Sequence, residues 1–191
     1  YPYVSLLAAT WVLERHGLHV FDVEELPTHG GSIRILAAPA AAGREVAPAV
    51  GAVLAAERAA GLDRAEGFAG FAARTAACRD DLRAFLEKAA ADGHSVVAYG
   101  AAAKGNTLLN YAGVDRSLVA YVADRNPHKQ GRLLPGSHIP VVAPERLDAD
   151  QPPIVLILPW NLREEIVGQL DHVRAAGGRF VVAVPTIQEI R

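Results

Sequence analysis

Val96-Val-Ala-Tyr-Gly-Ala-Ala-Ala-Lys-Gly-Asn-Thr-Leu-Leu-Asn110 decides the fold of this 191-residue chain. A short apolar run ends at Gly100. Small residues then allow a tight turn, and a helix is predicted from Lys104 to Tyr111. The same rhythm continues downstream. Apolar runs recur at Leu118–Ala123, Ile139–Val142, Ile154–Leu158 and Phe180–Val184. Between them lie a helical turn over Pro144–Leu147 and a helix over Leu162–Ala176, closed by Gly177 and Gly178. Continuous apolar runs alternating with helices indicate a parallel sheet covered on both faces. Residues 94–191 are therefore expected to form a small doubly wound α/β domain.

In such sheets, ligands sit beyond the strand C-termini, against helix N-termini. Free N–H groups and the helix dipole favour a phosphate there. Lys104 adds a point charge, and Asn106 and Thr107 carry potential donors; Gly100 and Gly105 let the backbone come close. The spacing is neither G-x-G-x-x-G nor the Walker pattern. Pattern alone leaves two readings, a phosphate cradle or a tight packing turn with an exposed lysine. Asp124 ends the next strand about twenty residues on, where dinucleotide folds place a ribose-binding acid. An Asx turn before Pro127 explains it equally well. Lys129 either reaches a phosphate or is simply solvated. After the Ile154–Leu158 run, Trp160 can flank a base or sugar, and Asn161 fits best as a helix cap. His138 is expected at a rim.

The front of the chain reads differently. Val4, Leu7, Ala8, Trp11 and Val12 keep helical spacing over about Tyr3–His16, and Gly17 follows as a C-cap. Strands are expected at Leu18–Leu26 and Ser32–Ala37. The Pro27–Gly31 turn cluster between them favours an antiparallel pair. That turn carries a second polar group, His29, Ser32 and Arg34, which reads most simply as part of a hairpin. Pro39–Glu45 is a linker. Two amphipathic helices are expected next, the first carrying Val46, Val50, Val53, Leu54 and Glu57. The second carries Phe71, Cys78, Leu82, Phe85, Leu86 and Ala89, with Cys78 in its apolar stripe.

Composition limits the function classes. The formal net charge is −2, which offers no basic field for a phosphate backbone, so nucleic acid is not an expected partner. No apolar run approaches the roughly 20 residues that span a bilayer, and no secretory signal is visible. With one Cys, no internal disulfide can form and no Cys-based zinc site exists within the chain. A cytoplasmic location is the expectation. The chain contains no Met and opens at Tyr1 inside what reads as an element, so it is expected to be a piece of a longer protein.

Taken together and in order, several stretches resemble the C-terminal region of sugar C-methyltransferases that use S-adenosylmethionine (SAM). They are Val20-Phe-Asp-Val-Glu24, Leu26-Pro-Thr-His-Gly-Gly-Ser-Ile-Arg34, Tyr99-Gly-Ala-Ala-Ala-Lys-Gly-Asn-Thr-Leu-Leu-Asn-Tyr111 and Ile157-Leu-Pro-Trp-Asn161. Asp124–Gly131 and Pro135–Pro140 fall between them. The match runs nearly the whole chain. The resemblance implies a parent with a Cys-rich zinc-binding N-terminal region, a central SAM-binding methyltransferase domain and a C-terminal Rossmann-like domain that helps hold a thymidine-diphosphate-linked (dTDP) keto sugar. On that map residues 1–40 are the last helix and antiparallel strand pair of a class I methyltransferase fold. Residues 41–93 are a helical bridge, and 94–191 are the nucleotide-sugar-binding domain.

The implied reaction removes a proton beside the sugar ketone, and the enolate carbon then attacks the SAM methyl. The family's catalytic base, SAM loop and zinc cysteines would all lie upstream, so neither methyl transfer nor SAM binding is expected of this chain alone. By the same resemblance, the diphosphate is expected near Gly100, Lys104, Gly105, Asn106 and Thr107. His29, Ser32 and Arg34 would orient sugar or phosphate, with Asp124, Trp160 and Asn161 on the same side. Apolar surface on residues 1–40 makes self-association an expectation. The competing reading is a non-catalytic nucleotide-binding module with a regulatory role. An oxidoreductase domain is disfavoured by the missing G-x-G-x-x-G.

Overall fold

The structure, a computed structural model, describes residues 3–190, except for the side chain of His29. The chain divides between Ala72 and Ala73 into two compact units.

In the first unit, α1 (Leu6–Arg15) begins where Ser5 caps the Ala8 amide. The Glu57 carboxylate accepts from the next free amides, Leu6 N at 2.7 Å and Leu7 N at 2.8 Å. These bonds satisfy donors that have no partner within the helix. The apolar positions Val4, Trp11 and Val12 are exposed, and Leu6 is the residue that buries. β1 (Leu18–Leu26) and β2 (Ser32–Pro39) pair antiparallel, as their spacing predicted, with a bulge between Val20 and Asp22. A single 3₁₀ turn, Thr28–Gly30, joins them. α2 (Pro48–Ala59) places Val50 beside Leu6, Val20 and Val23 to form a small core.

The second unit holds a six-stranded sheet. Its helix α3 (Phe71–Ala91) buries Leu82, Leu86 and Ala89 against one face of that sheet, together with Leu109 of α4 (Ala103–Tyr111). This explains why nearly all of α3, from Ala73 on, belongs to the second unit. The strands are β3 (Val96–Tyr99), β4 (Val122–Ala123), β5 (Val141–Val142), β6 (Ile154–Ile157), β7 (Arg179–Val182) and β8 (Gln188–Ile190), in the order β5-β4-β3-β6-β7-β8. All neighbours are parallel except β7 and β8. The other face is covered by α5 (Arg146–Asp150), α6 (Arg163–Gln169) and α7 (Asp171–Ala175) through Leu147, Ile166, Val167, Leu170 and Val173.

Two expectations need correction, and one strand was not expected. The run Leu118–Ala123 is a strand only over Val122–Ala123. Leu118 belongs to a turn tied by Asp115, whose backbone carbonyl accepts from the amides of Leu118 and Val119. The helix expected over Leu162–Ala176 breaks at Leu170, whose backbone (φ −110°, ψ 27°) leaves the helical region between α6 and α7. The edge strand β8 has no counterpart in the sequence reading.

The chain runs outward from β3 through β4 to β5, then returns to β6 on the other flank of β3. The strand order therefore reverses between β3 and β6. A crevice forms beyond the carboxyl ends of such strands.

Candidate functional site

Two connections leave the sheet at that point. The turn after β3 passes through Gly100 at φ +84° and enters α4, whose N-cap residue Ala102 supplies no side-chain bond. The turn after β6 runs through Pro159 into a 3₁₀ segment, Trp160–Leu162. The two turns are pressed together. A Cβ on Gly100 would lie 2.6 Å from Pro159 Cγ, and one on Gly105 would lie 2.5 Å from Leu158 Cβ. Both glycines are therefore required by packing, and that packing lets α4 approach the exit of β6.

The close approach brings three of the expected residues into one cluster. Lys104 Nζ donates to the Asn161 carboxamide oxygen and lies 4.5 Å from the Trp160 ring centroid. Burial of the amino group holds its pKa below the ordinary lysine value. A partly desolvated cation, an aromatic face and an uncapped helix N-terminus thus meet at the carboxyl edge of the sheet. Asn161 does not cap α6. The 3₁₀ turn moves the N-cap to Leu162, and the Asn161 side chain turns to Lys104 instead.

Asp124 is 8% exposed, and its carboxylate is occupied from within. Oδ2 accepts from Ala101 N at 2.7 Å and from Lys129 Nζ at 3.1 Å, and Oδ1 accepts from Asn126 N at 2.8 Å. Lys129 also donates to the Ala101 carbonyl at 2.9 Å. The geometry makes Asp124 a bracket between the loops after β3 and β4, with the Asx turn as one of its parts. Thr107 spends its hydroxyl proton on the Ala103 carbonyl, and the Asn106 carboxamide oxygen is buried without a partner.

The other polar group belongs to the first unit. Ser32 donates to the Thr28 carbonyl, and Arg34 pairs with Glu24, its cross-strand neighbour, at 2.7 Å. The side chain of His29 lies outside the described residues.

On the α5–α7 face of the same carboxyl edge lies a cavity of about 440 Å³. Its walls include Arg125 and Gln130 from the loop after β4, Glu145 and Asp148 around α5, and Gln169 and His172 from α6 and α7. Tyr99, the last residue of β3, also lines it; burial pushes its phenol up. Sequence reading did not assemble this cavity. Arg125 and Gln130 lie within the polar stretch that begins at Asp124, which was its one visible signal. Among the described residues, no cluster of His, Cys, Asp and Glu fits a metal ion, and no helix is long and apolar enough to cross a membrane.

Residues 27–185 match the family of C-methyltransferase C-terminal domains. The chain belongs to that family. C-methyltransferase NovU of Streptomyces niveus is 40% identical over 185 residues, covering 97% of this chain and 44% of that protein. The chain thus spans less than half the length of the curated relative it matches. The family match takes in Lys104, Asp124, Trp160 and Asn161, and it begins just before the β1–β2 turn.

Proposed function

We propose that this chain is the substrate-holding part of a SAM-dependent C-methyltransferase that acts on a keto sugar linked to thymidine diphosphate. On this reading residues 94–191 are a Rossmann-like nucleotide-sugar domain. Residues 1–40 close a class I methyltransferase fold, and 41–93 connect the two. Membership in the C-methyltransferase family supports the reaction class. The observation that carries the ligand assignment is the Lys104–Trp160–Asn161 cluster, placed where the strand order reverses.

The chemistry asked of these residues is binding and orientation. A diphosphate at the start of α4 meets free backbone amides, the positive end of the helix and the Lys104 ammonium. The Trp160 ring and the surrounding packing exclude water from one side of that ammonium, which strengthens its attraction for an anion. Asn161 holds Lys104 in one direction. The Asp124–Lys129 bracket fixes the Ala101 backbone, so the cradle is ordered before ligand arrives. Carbon methylation also needs a base to remove the proton beside the ketone. SAM would supply the methyl group, and both it and the zinc of the longer protein would be held by segments other than this one.

Calorimetric titration with thymidine diphosphate tests the assignment, with SAM in parallel. The chain should bind the diphosphate and not SAM. Lys104→Ala should weaken diphosphate binding about tenfold or more, because a charged hydrogen bond is lost. Unchanged affinity would remove Lys104 from the site.

A further inference from the structure

A cavity of about 380 Å³ lies at the opposite, amino edge of the same sheet. Its walls come from residues that precede the strands: Ala120 and Tyr121 before β4, Pro140 before β5, and Pro152 and Pro153 before β6. Helix α5 contributes Arg146 and Asp150. None of these residues belongs to the Lys104 cluster or to the bracket around Asp124, and the proposed diphosphate site makes no use of them.

Most of this wall has nothing to offer a polar ligand. Prolines carry no N–H. The carbonyls of Pro140 and Pro153 are spent on Val122 N at 2.9 Å and Arg179 N at 3.1 Å. Three polar groups stand together. Arg146 Nε donates to Asp150 Oδ2 at 2.8 Å, so their charges balance, and a charged ligand would have to break that pair. Their neighbour Tyr121 is 7% exposed, and its hydroxyl is buried with no hydrogen-bond partner among the described residues. Burial, and then the Asp150 carboxylate, push the phenol up, so Tyr121 stays a neutral donor. Buried polar groups are rarely left unpaired, because the lost hydration is not repaid. A ligand hydroxyl repays it. Such a group can accept from Tyr121 and donate to the Asp150 carboxylate, which keeps lone pairs beyond the one that Arg146 takes. A polyol would find no partners for its other hydroxyls along the proline wall.

We propose that this amino-edge cavity is a second ligand site, and that it takes a compact uncharged molecule with an apolar ring and a single hydroxyl, of the phenol class. The site is independent of the diphosphate reading of Lys104 and is separated from it by the length of the strands.

The probes are p-cresol, toluene and benzoate, titrated into the chain and followed through backbone amide NMR shifts. The p-cresol shifts should centre on Ala120, Tyr121 and Asp150 and leave Lys104 and Trp160 in place. Benzoate should bind more weakly than p-cresol, because its charge competes with a pair that is already balanced. Tyr121→Phe should weaken p-cresol about tenfold, while toluene, which has no hydroxyl to lose, keeps its affinity. Without ligand, Tyr121→Phe should not lower the Tm, since the hydroxyl it removes is unpaired. A fall in Tm would show that the hydroxyl is already bonded within the chain and would overturn the proposal. So would p-cresol shifts that are absent or centred elsewhere, benzoate binding the tighter of the two, or undiminished p-cresol affinity in Tyr121→Phe. Each of those results leaves the Lys104 reading standing, because thymidine diphosphate is titrated separately.

Discussion

Replacing Gly100 by Ala combines two penalties at one atom. The residue sits at φ +84°, where a side chain costs about 1–2 kcal/mol. The added Cβ would also lie 2.6 Å from Pro159 Cγ and 2.7 Å from Pro159 Cδ. These are ring atoms and cannot swing away, so an overpacking cost of about 1–3 kcal/mol follows. Gly93 provides the control. It sits at φ +77° with nothing within 4 Å of its added Cβ, so only the backbone penalty applies. Urea unfolding should therefore place Gly100→Ala about 2–5 kcal/mol below the unaltered chain and Gly93→Ala about 1–2 kcal/mol below. For a domain of this size that separation is roughly 4–12 °C in Tm. A Pro159→Ala background should recover part of the Gly100→Ala loss and none of the Gly93→Ala loss, because only the first pair shares atoms. Affinity for thymidine diphosphate should fall with Gly100→Ala alone, since the same approach sets Lys104 beside Trp160. Equal losses at the two glycines would refute the claim that the turns after β3 and β6 are in forced contact.

Asp124→Ala leaves the Ala101 amide without its acceptor and should cost about 1–3 kcal/mol in urea unfolding, whereas Asp124→Asn keeps the acceptor oxygen and should cost less. Finding the alanine variant no worse than the asparagine one would end the bracket argument. Titration of Lys104 has two consequences of opposite sign. Diphosphate binding needs the ammonium, so affinity should fall as pH rises through the depressed pKa of the free chain, below the usual lysine value of about 10.4. Folding stability should gain from this residue over the same window, because the unfolded chain there binds the proton more tightly. Lys104→Arg should flatten the alkaline loss of affinity; a profile that matches the unaltered chain would assign the titration to another group.

Much of the second unit was legible because continuous apolar runs mark buried parallel strands, and β3 and β6 coincide with the runs at Val96 and Ile154. The same signal over-reads where burial and strand geometry part company. Val119 is fully buried yet lies outside β4, so Leu118–Ala123 looked like one strand. The break at Leu170 is silent for a related reason. Ile166, Val167, Leu170 and Val173 all bury, so the apolar period runs through the kink without interruption. β8 reads Gln188-Glu-Ile190 on the sheet edge, where polar residues carry no burial pattern at all.

The site divides along the same line. A glycine-bounded turn followed by a lysine pointed to Lys104 because local sequence dictates a strand–turn–helix there. What local sequence cannot say is why the glycines are present. Gly100 and Gly105 answer to Pro159 and Leu158, more than fifty positions away, and the turn that packs there is the same turn proposed to cradle a phosphate. The packing is what places the lysine. Asp124 shows the reverse case, where a position associated with ligand contact is filled by internal donors, the Ala101 amide among them. Arg125 and Gln169 lie 44 positions apart and meet only because β4 and α6 reach the same edge of the sheet. No spacing rule anticipates that pair. A search for ligand-contacting residues in this family should therefore begin at the strand ends that flank the reversal of order, and then follow the helices that close over them.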